Sequence, residues 1–408
     1  MLRLVEKIDA HEGICWSVSW CSRGAMLVSS GQDRCLKLWK RDNSKYHCQH
    51  SLDETATGHS RTIRRVTWRR DSKCIAACSF DSTCSVWKIG ANETMSLLTR
   101  ISGQESEVKG VSFSPCGEML ATCSRDKSIW IFDVSNLLLG TNGSEPDYNR
   151  IVEGDNLEVF DEAEFTFPTS PSIAREQSAK VEEVDCVSVL QGHSQDVKNV
   201  KFHPRNSGML VSVSYDDTVK IWAASGDDWQ LVETLKGHTN TVWDLAFNPE
   251  ANEEFVSVSA DGTMRIWTRR SDPFTACQIS WVAAGPLGIV SRQRANSRIP
   301  HAPGGWSCLT TQVTWSLVEG VPPPPIYSVD WSSGGLIVLG CGDNTIRVFM
   351  KSFGSSPIPV STLKTHSEPT CVAFRPQPPP GQLSEVEIAA SFDDGSIAMY
   401  SLLVCEVN

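Results

Sequence analysis

Short stretches of alternating apolar and polar residues recur along most of the chain. One of them, ATCSRDKSIWIFDV at residues 121–134, alternates small, β-branched and aromatic residues on either side of an Asp. A period of two residues, interrupted at intervals by Gly, Asp, Asn and Ser, is typical of β-strands joined by tight turns. The pattern therefore predicts an all-β chain of short antiparallel strands.

One unit of this pattern is present seven times. Each copy has a small residue, any residue and then Asp, with an aromatic residue six positions after the Asp; the copies are SGQDRCLKLW, CSFDSTCSVW, CSRDKSIWIF, VSYDDTVKIW, VSADGTMRIW, GCGDNTIRVF and SFDDGSIAMY. A single small sheet cannot bury both of its faces, so repeated sheets must cover one another. Seven units predict a seven-bladed β-propeller of the WD-repeat (WD40) type, closed by LRLVEKI as the outer strand of the last blade.

A His stands 22 or 23 residues before the turn Asp in four of the units. With a strand Ser or Thr and the Trp indole, these residues can form a buried hydrogen-bonded network. The predicted network comprises His11, Asp33, Trp39, His59, Asp81, Trp87, His193, Asp216, Trp222, His238, Asp261 and Trp267. Because the set recurs in blade after blade, we interpret it as framework rather than as a catalytic triad, and we expect no enzyme. The third unit has Gln104 and Phe132 instead of His and Trp, so its network should be weaker or absent.

Two gaps interrupt the regular spacing of the turn Asp residues. Successive Asp residues are 45 to 51 positions apart in uninterrupted units, but Asp126 and Asp216 are 90 apart, and Asp261 and Asp343 are 82 apart. We therefore predict one propeller over residues 1–408 with two long inter-strand insertions.

The two insertions differ in character. Residues 136–185 contain twelve Asp or Glu and three Lys or Arg, which predicts an acidic, disordered loop. Residues 269–325 mix basic and apolar residues without clean periodicity, and we interpret them as an irregular insertion before the inner strand of the sixth blade. The second segment is either a lineage-specific insertion or a mis-assembled coding segment.

Composition narrows the possible functions mainly by exclusion. A formal net charge of −11 argues against general nucleic-acid binding, and no apolar run reaches the roughly 18–20 residues that cross a bilayer. The 15 cysteines include no CxxC pair, so we expect buried thiols without a metal or other cofactor. The start of the chain lacks the apolar core of a signal peptide, which favours the cytoplasm, with the nucleus as a second location.

Two rings of side chains should reach one face of the propeller. The residue before each turn Asp gives one ring, and the residue two before the inner-strand Val or Leu gives the other. From these rings we predict a partner-binding surface made of Arg125, Arg64, Lys109, Lys198, Trp16, Phe80, Tyr215, Trp243, Tyr327 and Phe392. Aromatic residues and Arg are the usual anchors of protein interfaces, and a guanidinium can pair with a carboxylate through two hydrogen bonds. The alternative is that the four cations are ordinary solvated residues paired with acidic neighbours.

Several segments carry a resemblance to a known family. CSRDKSIWIFDV, CVSVLQGHSQDVKNVKFHP, SYDDTVKIW and GHTNTVWDLAF are similar to the WD-repeat subunit of the cytosolic iron–sulfur protein assembly targeting complex, and RTIRRVTW, CSFDSTCSVWK and CGDNTIRVF fit the same family. The similarity spans all seven units and is strongest from Glu118 through Trp267, whereas the two insertions depart from the family pattern.

The resemblance implies a non-enzymatic adaptor. Members of that family join a small assembly factor and a HEAT-repeat adaptor and deliver iron–sulfur clusters to apoprotein clients in the cytosol and nucleus. The arginine of the SRD motif, here Arg125, is a functional position in the family. The resemblance thus implies a monomeric propeller within a hetero-complex. The alternative is a WD40 adaptor of another complex, such as a ubiquitin-ligase substrate receptor or a chromatin-associated scaffold.

Overall fold

The structure is a computed structural model that describes most of the chain. The described residues are 1–42, 45–139, 183–226, 228–250, 253–269, 279–282, 291–293, 306–313, 322–352, 355–376 and 385–403. Most of both predicted insertions lies outside these ranges, so the disorder expected for residues 136–185 stays a prediction.

The described residues form seven sheets. The first half of the chain contains β1 (Leu2–Asp9), β2 (Cys15–Trp20), β3 (Met26–Gly31), β4 (Leu36–Asp42), β5 (Lys45–Leu52), α1 (Glu54–Thr57), β6 (Ile63–Trp68), β7 (Cys74–Ser79), β8 (Cys84–Ile89), β9 (Met95–Ile101), β10 (Val108–Phe113), β11 (Met119–Ser124), β12 (Ser128–Asp133), α2 (Asn136–Leu139) and β13 (Asp185–Gln191). The second half contains β14 (Val197–His203), β15 (Asn206–Ser214), β16 (Thr218–Ser225), β17 (Asp228–Lys236), β18 (Val242–Phe247), β19 (Glu254–Ser259), β20 (Thr263–Arg269), β21 (Ile279–Val282), β22 (Ser291–Gln293), β23 (Trp306–Val313), β24 (Ile326–Trp331), β25 (Leu336–Cys341), β26 (Thr345–Met350), β27 (Ile358–Lys364), β28 (Pro369–Phe374), β29 (Glu385–Phe392) and β30 (Ser396–Leu403).

The seven sheets form a closed ring, which confirms the predicted seven-bladed propeller. The inner strands of blades one to seven are β2, β6, β10, β14, β18, β24 and β28, and each contacts the inner strand of the next blade. The ring closes in blade seven, where β1 from the start of the chain pairs antiparallel with β30. This closure ties the two ends of the propeller together and covers a sheet edge that would otherwise be open.

The hydrophobic core lies between the blades. One buried cluster combines Val18 and Leu27 of blade one with Ala389 and Ile397 of blade seven, and the other clusters span neighbouring blades in the same way. Each sheet therefore buries its second face only because the next sheet covers it, which is the physical reason for the repeat.

The second predicted insertion contains regular structure that the sequence pattern did not reveal. Strand β23 lies within residues 269–325 and pairs antiparallel with β20, so it is the fourth strand of blade five. Strand β21 pairs parallel with β23, which extends this sheet to six strands. The prediction of an irregular insertion is therefore wrong for residues 306–313.

The turn after each second strand has the same backbone conformation in all seven blades. The residue after the turn Asp has a positive φ each time; these residues are Arg34, Ser82, Lys127, Asp217, Gly262, Asn344 and Gly395. A left-handed residue allows a tight turn, and in six blades the Asp side chain caps the turn by accepting a backbone N–H from two residues further on. We call the face of the propeller that carries these seven turns the upper face.

Candidate protein-binding site

A β-bulge interrupts every inner strand close to the upper face. The pairing of inner and second strands skips one residue in each blade, and the skipped residues are Trp16, Arg64, Lys109, Lys198, Trp243, Tyr327 and Thr370. A bulge redirects the side chain of the extra residue, because that residue has no partner on the adjacent strand. The seven bulged residues are the seven members of one predicted ring.

The bulged residues surround a funnel on the propeller axis. All seven line a cavity of about 380 Å³, together with Phe80 and Glu368. Of the ten residues predicted to bind a partner, seven therefore lie around one opening: Trp16, Arg64, Phe80, Lys109, Lys198, Trp243 and Tyr327. The funnel is near the small end of the range for ligand cavities, with aromatic walls and a few charged groups.

Arg64 presents an uncompensated charge in this funnel. Its guanidinium lies 4.6 Å from the centre of the Trp16 ring, a distance at which a cation is attracted by the aromatic face. Burial, and then the charge of Arg65, lowers the pKa of Arg64 to about 10, so the group remains protonated at neutral pH. Among the described residues, no carboxylate or hydrogen-bond acceptor pairs with it.

Two lysines share one carboxylate on the neighbouring blades. Asp196 accepts a hydrogen bond from Lys109 and a longer one, 3.5 Å, from Lys198. Lys198 Nζ also lies 5.0 Å from the ring centre of Tyr215 and 4.9 Å from that of Trp243. Burial and the charge of Lys109 lower the pKa of Lys198 to about 8. The two lysines and Asp196 leave a net positive charge at this side of the funnel.

Arg125 stands on the rim of the upper face, outside the funnel. Its guanidinium lies 3.3 Å from both carboxylate oxygens of Glu107, which also accepts from Arg61 at 3.2 Å. Burial opposes ionisation of Glu107, but hydrogen bonds from Ser106, Arg125 and Arg61 lower its pKa to about 2. The Arg125 side chain is 59% exposed, so this pairing leaves part of the guanidinium available.

The layer of residues directly below the funnel is packed and polar. Asp244 of blade five lies 3.4 Å from the Arg65 guanidinium of blade two, and it accepts from the Asn199 amide at 2.6 Å and the Ser328 hydroxyl at 3.0 Å. Burial would raise the pKa of Asp244, but the charge of Arg65 keeps it below the ordinary value. These contacts join four blades across the axis and give the funnel a floor.

Besides Arg125, two more of the ten predicted residues, Tyr215 and Phe392, do not line the funnel. Tyr215 is 55% exposed on the rim of blade four, where it contacts Lys198. Phe392 is completely buried in the core of blade seven, so its assignment to the binding surface is wrong. It pairs with Pro369 at the end of β29, where other blades carry Ser124 or Ser214. Blade seven has two consecutive Asp residues. Asp394 is the turn residue, so the surface position directly before the turn Asp belongs to Asp393 rather than to Phe392.

The sequence interpretation missed three acidic residues of the upper face. Glu107, Asp196 and Glu368 each directly precede the first residue of an inner strand in blades three, four and seven. The register of the strands could have identified them. The backbone carbonyl at this position accepts a hydrogen bond from the backbone N–H of the residue before the turn Asp: Glu107 accepts from Arg125 and Asp196 from Tyr215, both at 2.9 Å. A third ring, one residue before each inner strand, would have found them.

The predicted framework residues form four hydrogen-bonded chains in blades one, two, four and five. In blade four, His193 Nδ1 lies 2.8 Å from Asp216, His193 Nε2 lies 2.7 Å from Ser212 Oγ, and Trp222 donates to Ser212 at 2.9 Å. The same contacts join His11, Asp33, Ser29 and Trp39; His59, Asp81, Ser85 and Trp87; and His238, Asp261, Ser257 and Trp267. Burial lowers the pKa of His193 and of His238, which favours a neutral ring that donates from Nδ1 and accepts at Nε2.

These Ser–His–Asp chains are not built for catalysis. The four serines Ser29, Ser85, Ser212 and Ser257 are buried, and each hydroxyl oxygen already accepts from a Trp indole. A nucleophilic serine needs access to a substrate and a nearby oxyanion site. The chains therefore hold the turns of the upper face in place.

Blade three has only part of this arrangement. Asp126 accepts from the backbone of Glu105 and Ser128 at 2.9 Å and from the Ser128 hydroxyl, to which Trp130 donates at 2.9 Å. The Gln104 amide nitrogen and the Thr122 hydroxyl are buried without hydrogen-bond partners among the described residues. The network persists around Asp126 but has lost its link to the second strand.

The described residues offer neither a metal site nor a membrane-spanning helix. Within the described ranges, no group of three or more His, Cys, Asp or Glu side chains is arranged to hold a metal ion. Among the same residues, no helix has the length and apolar character required to cross a membrane.

The fold and the recurring Asp turns define a class of protein. Residues 2–40, 47–88, 95–133, 184–223, 229–268 and 320–349 match the family profile described as WD domain, G-beta repeat, and together these segments exceed half of the chain. The chain belongs to the WD-repeat family.

Particular relatives have names that refer to iron–sulfur protein assembly. A Candida glabrata protein named probable cytosolic iron-sulfur protein assembly protein 1 is 40% identical over 139 residues, which is 32% of this chain and 41% of the relative. A Kluyveromyces lactis protein of the same name is 40% identical over 143 residues, 33% of this chain and 41% of the relative. A Caenorhabditis elegans homologue is 34% identical over 122 residues, 29% of this chain and 35% of the relative. The matches thus span about two fifths of the length of these relatives.

Proposed function

We propose that this propeller is a non-enzymatic adaptor of cytosolic iron–sulfur protein assembly, acting in the cytoplasm and the nucleus. The names of the similar proteins support this class of function, and the closed WD-repeat scaffold suits protein binding. The proposed partners are a small assembly factor, a HEAT-repeat adaptor and apoprotein clients. The cluster is cargo in this proposal, and the propeller contributes binding surfaces.

The observation that carries the proposal is the net positive charge of one sector of the funnel, over blades two to four. Arg64, Lys109 and Lys198 line this sector, and among the described residues Asp196 pairs with the two lysines while Arg64 has no acidic partner. On a chain with a net charge of −11, such a sector is not needed for solubility. It suits a partner that presents an acidic side chain or a C-terminal carboxylate.

Arg125 has the features expected of a residue that serves a partner. Its backbone N–H donates to the Glu107 carbonyl, as the backbone N–H of Tyr215 donates to the Asp196 carbonyl. The turn is therefore held in the same way whether the residue before the turn Asp is Arg or Tyr. The framework therefore does not require an Arg at this position. A bidentate pairing with a carboxylate explains why an Arg is useful there.

Affinity purification tests the proposal directly. Tagged wild-type protein should recover iron–sulfur assembly proteins and apoproteins that acquire clusters, and Arg125→Glu should lose most of this recovery while keeping the wild-type melting temperature. Arg23→Glu, at an exposed turn on the opposite face, is the matched control and should recover the same proteins as wild type.

Two results would contradict the proposal. Recovery of only ubiquitin-ligase or chromatin subunits would assign the propeller to another complex. Unfolding of Arg125→Glu, with Arg23→Glu intact, would mean that Arg125 belongs to the framework.

A further inference from the structure

We propose that Glu368 makes the axial funnel selective for a dipolar peptide segment of a partner protein, one with an acidic side chain close to a basic one. The acidic group would lie against Arg64, Lys109 and Lys198, and the basic group against Glu368. This inference rests on the proposed function in one respect, namely that a partner's acidic group enters the cationic sector.

The funnel carries opposite charges on opposite sides. Its cations come from blades two, three and four. Glu368 comes from blade seven, which is three blades away from both blade three and blade four around the seven-membered ring, so it lies across the axis from Lys109 and Lys198. A ligand that fills the funnel therefore contacts a positive and a negative side at once.

Glu368 has no internal counterion among the described residues. Its backbone N–H donates to the Asp393 carboxylate at 3.0 Å, which fixes the loop but brings a second negative charge close by. Among the described residues, the Glu368 carboxylate forms no ion pair or hydrogen bond. Burial and the charge of Asp393 raise its pKa, as expected for a carboxylate in need of a cation.

Arg64 on the cationic side is in the corresponding situation. Its guanidinium stacks on Trp16 and has no carboxylate partner within the part of the chain that the structure describes. One uncompensated cation and one uncompensated anion that line the same cavity of about 380 Å³ match a ligand with both charges. A purely acidic ligand would be attracted to Arg64 and repelled by Glu368.

The walls favour a peptide as the source of these charges. Trp16, Phe80, Trp243 and Tyr327 give the funnel an apolar surface, and the ring centres of Trp243 and Tyr327 are 5.6 Å apart in an edge-to-face arrangement. Aromatic walls pack well against the backbone and the aliphatic stems of acidic and basic side chains. The funnel opens on the face that carries Arg125, where the proposed protein partner binds.

Two blocked peptides separate the effect of Glu368 from general affinity. Isothermal titration of the full chain at low ionic strength would compare a dipolar peptide, Ac-Gly-Asp-Gly-Lys-Gly-NH2, with an acidic peptide, Ac-Gly-Asp-Gly-Gly-Gly-NH2. We expect wild-type protein to bind the dipolar peptide about five-fold more tightly, the size of effect given by one partly exposed ion pair.

Glu368→Gln should change the two affinities in opposite directions. Dipolar binding should fall about two-fold, because its lysine loses a five-fold attraction while its aspartate is relieved of a three-fold repulsion, and acidic binding should rise about three-fold because only the repulsion is removed. Opposite shifts cannot arise from partial unfolding, which weakens both. Glu250→Gln, on an exposed turn of the opposite face, is the matched control and should change neither affinity.

The outcomes distinguish this inference from the proposed function. If Glu368→Gln shifts both peptides alike, or neither, the selectivity is refuted while the cationic site stands. If Arg64→Gln weakens binding of neither peptide, acidic groups do not use the funnel, and the partner-binding role proposed for the cationic sector fails as well.

Discussion

Blades three and four have the same strands and turns but differ in the buried hydrogen bonds that support the turn and in the side chain that the turn presents at the surface. Blade four has the complete chain of Trp222, Ser212, His193 and Asp216, whereas blade three has Phe132 and Gln104 at the positions of Trp222 and His193. The blade with the weaker framework carries Arg125, where blade four has Tyr215.

The difference shows that turn and side chain are specified separately. Asp126 still receives two backbone N–H groups, and the N–H of Arg125 still donates to Glu107, so the turn of blade three keeps its conformation. A blade can therefore lose part of its buried network and retain its upper-face geometry. This separation leaves the residue before the turn Asp free to serve a partner.

The largest expected effect comes from replacing the turn Asp of blade four, compared with the same replacement in blade three. Asp216→Ala should lower the free energy of unfolding by about 3 kcal/mol, because His193, the Ser194 backbone and Thr218 lose their acceptor. Asp126→Ala should cost about 1.5 kcal/mol, because no His depends on it. Urea unfolding of both variants measures the two losses, and equal losses would show that the buried His adds nothing.

Restoring the missing residues of blade three should stabilise it. Thr122 pairs with Val111 as Ser212 pairs with Val200, and its hydroxyl is buried without a partner among the described residues. The double substitution Gln104→His and Phe132→Trp would supply the missing donor and acceptor groups and should gain about 1–2 kcal/mol. Urea unfolding measures the gain, with His193→Gln as the opposite change in blade four. A loss of stability would mean that Trp130 occupies the space that the new side chains need.

A smaller effect should appear in the pH dependence of binding. Lys198 has a pKa of about 8, so its charge is present below that pH and is lost above it. Binding of the acidic peptide should therefore weaken about three-fold between pH 7 and pH 9, as one partly exposed attraction disappears. Titrations at both pH values measure the change. Lys198→Arg stays charged across this range and should remove the decrease; if the decrease persists, another group is responsible.

The smallest effect concerns the stability role of Arg125. Arg125→Ala should change the free energy of unfolding by less than about 0.5 kcal/mol, because its one ion pair among the described residues joins a largely exposed Arg125 side chain to Glu107. Urea unfolding next to Arg23→Ala tests this directly. A loss above 1 kcal/mol would place Arg125 in the framework. The stability of blade three would then depend on the charge of this surface residue.

Much of the funnel could be predicted because it follows from a repeated local feature. The bulge falls at the same register in every inner strand, so counting back from the strand Val or Leu identified Trp16, Arg64 and the other bulged residues. Counting from the turn Asp, which gave the other ring, failed at Phe392, where two consecutive Asp residues allowed a register shifted by one. A shift of one residue turns a side chain to the other face of a strand, which here means from the surface into the core.

The sequence by itself determined the number of blades, the closing strand and the framework residues, because period-two alternation and the His-to-Asp spacing are local signals that repeat seven or four times. Only the tertiary structure decided which charges meet. Asp196 of blade four pairs with Lys109 of blade three, and Glu368 shares a cavity with Arg64 although about 300 residues separate them. The physical reason is that the closed ring brings segments distant in the chain together around one axis, and electrostatic pairing depends on distance in space rather than along the chain.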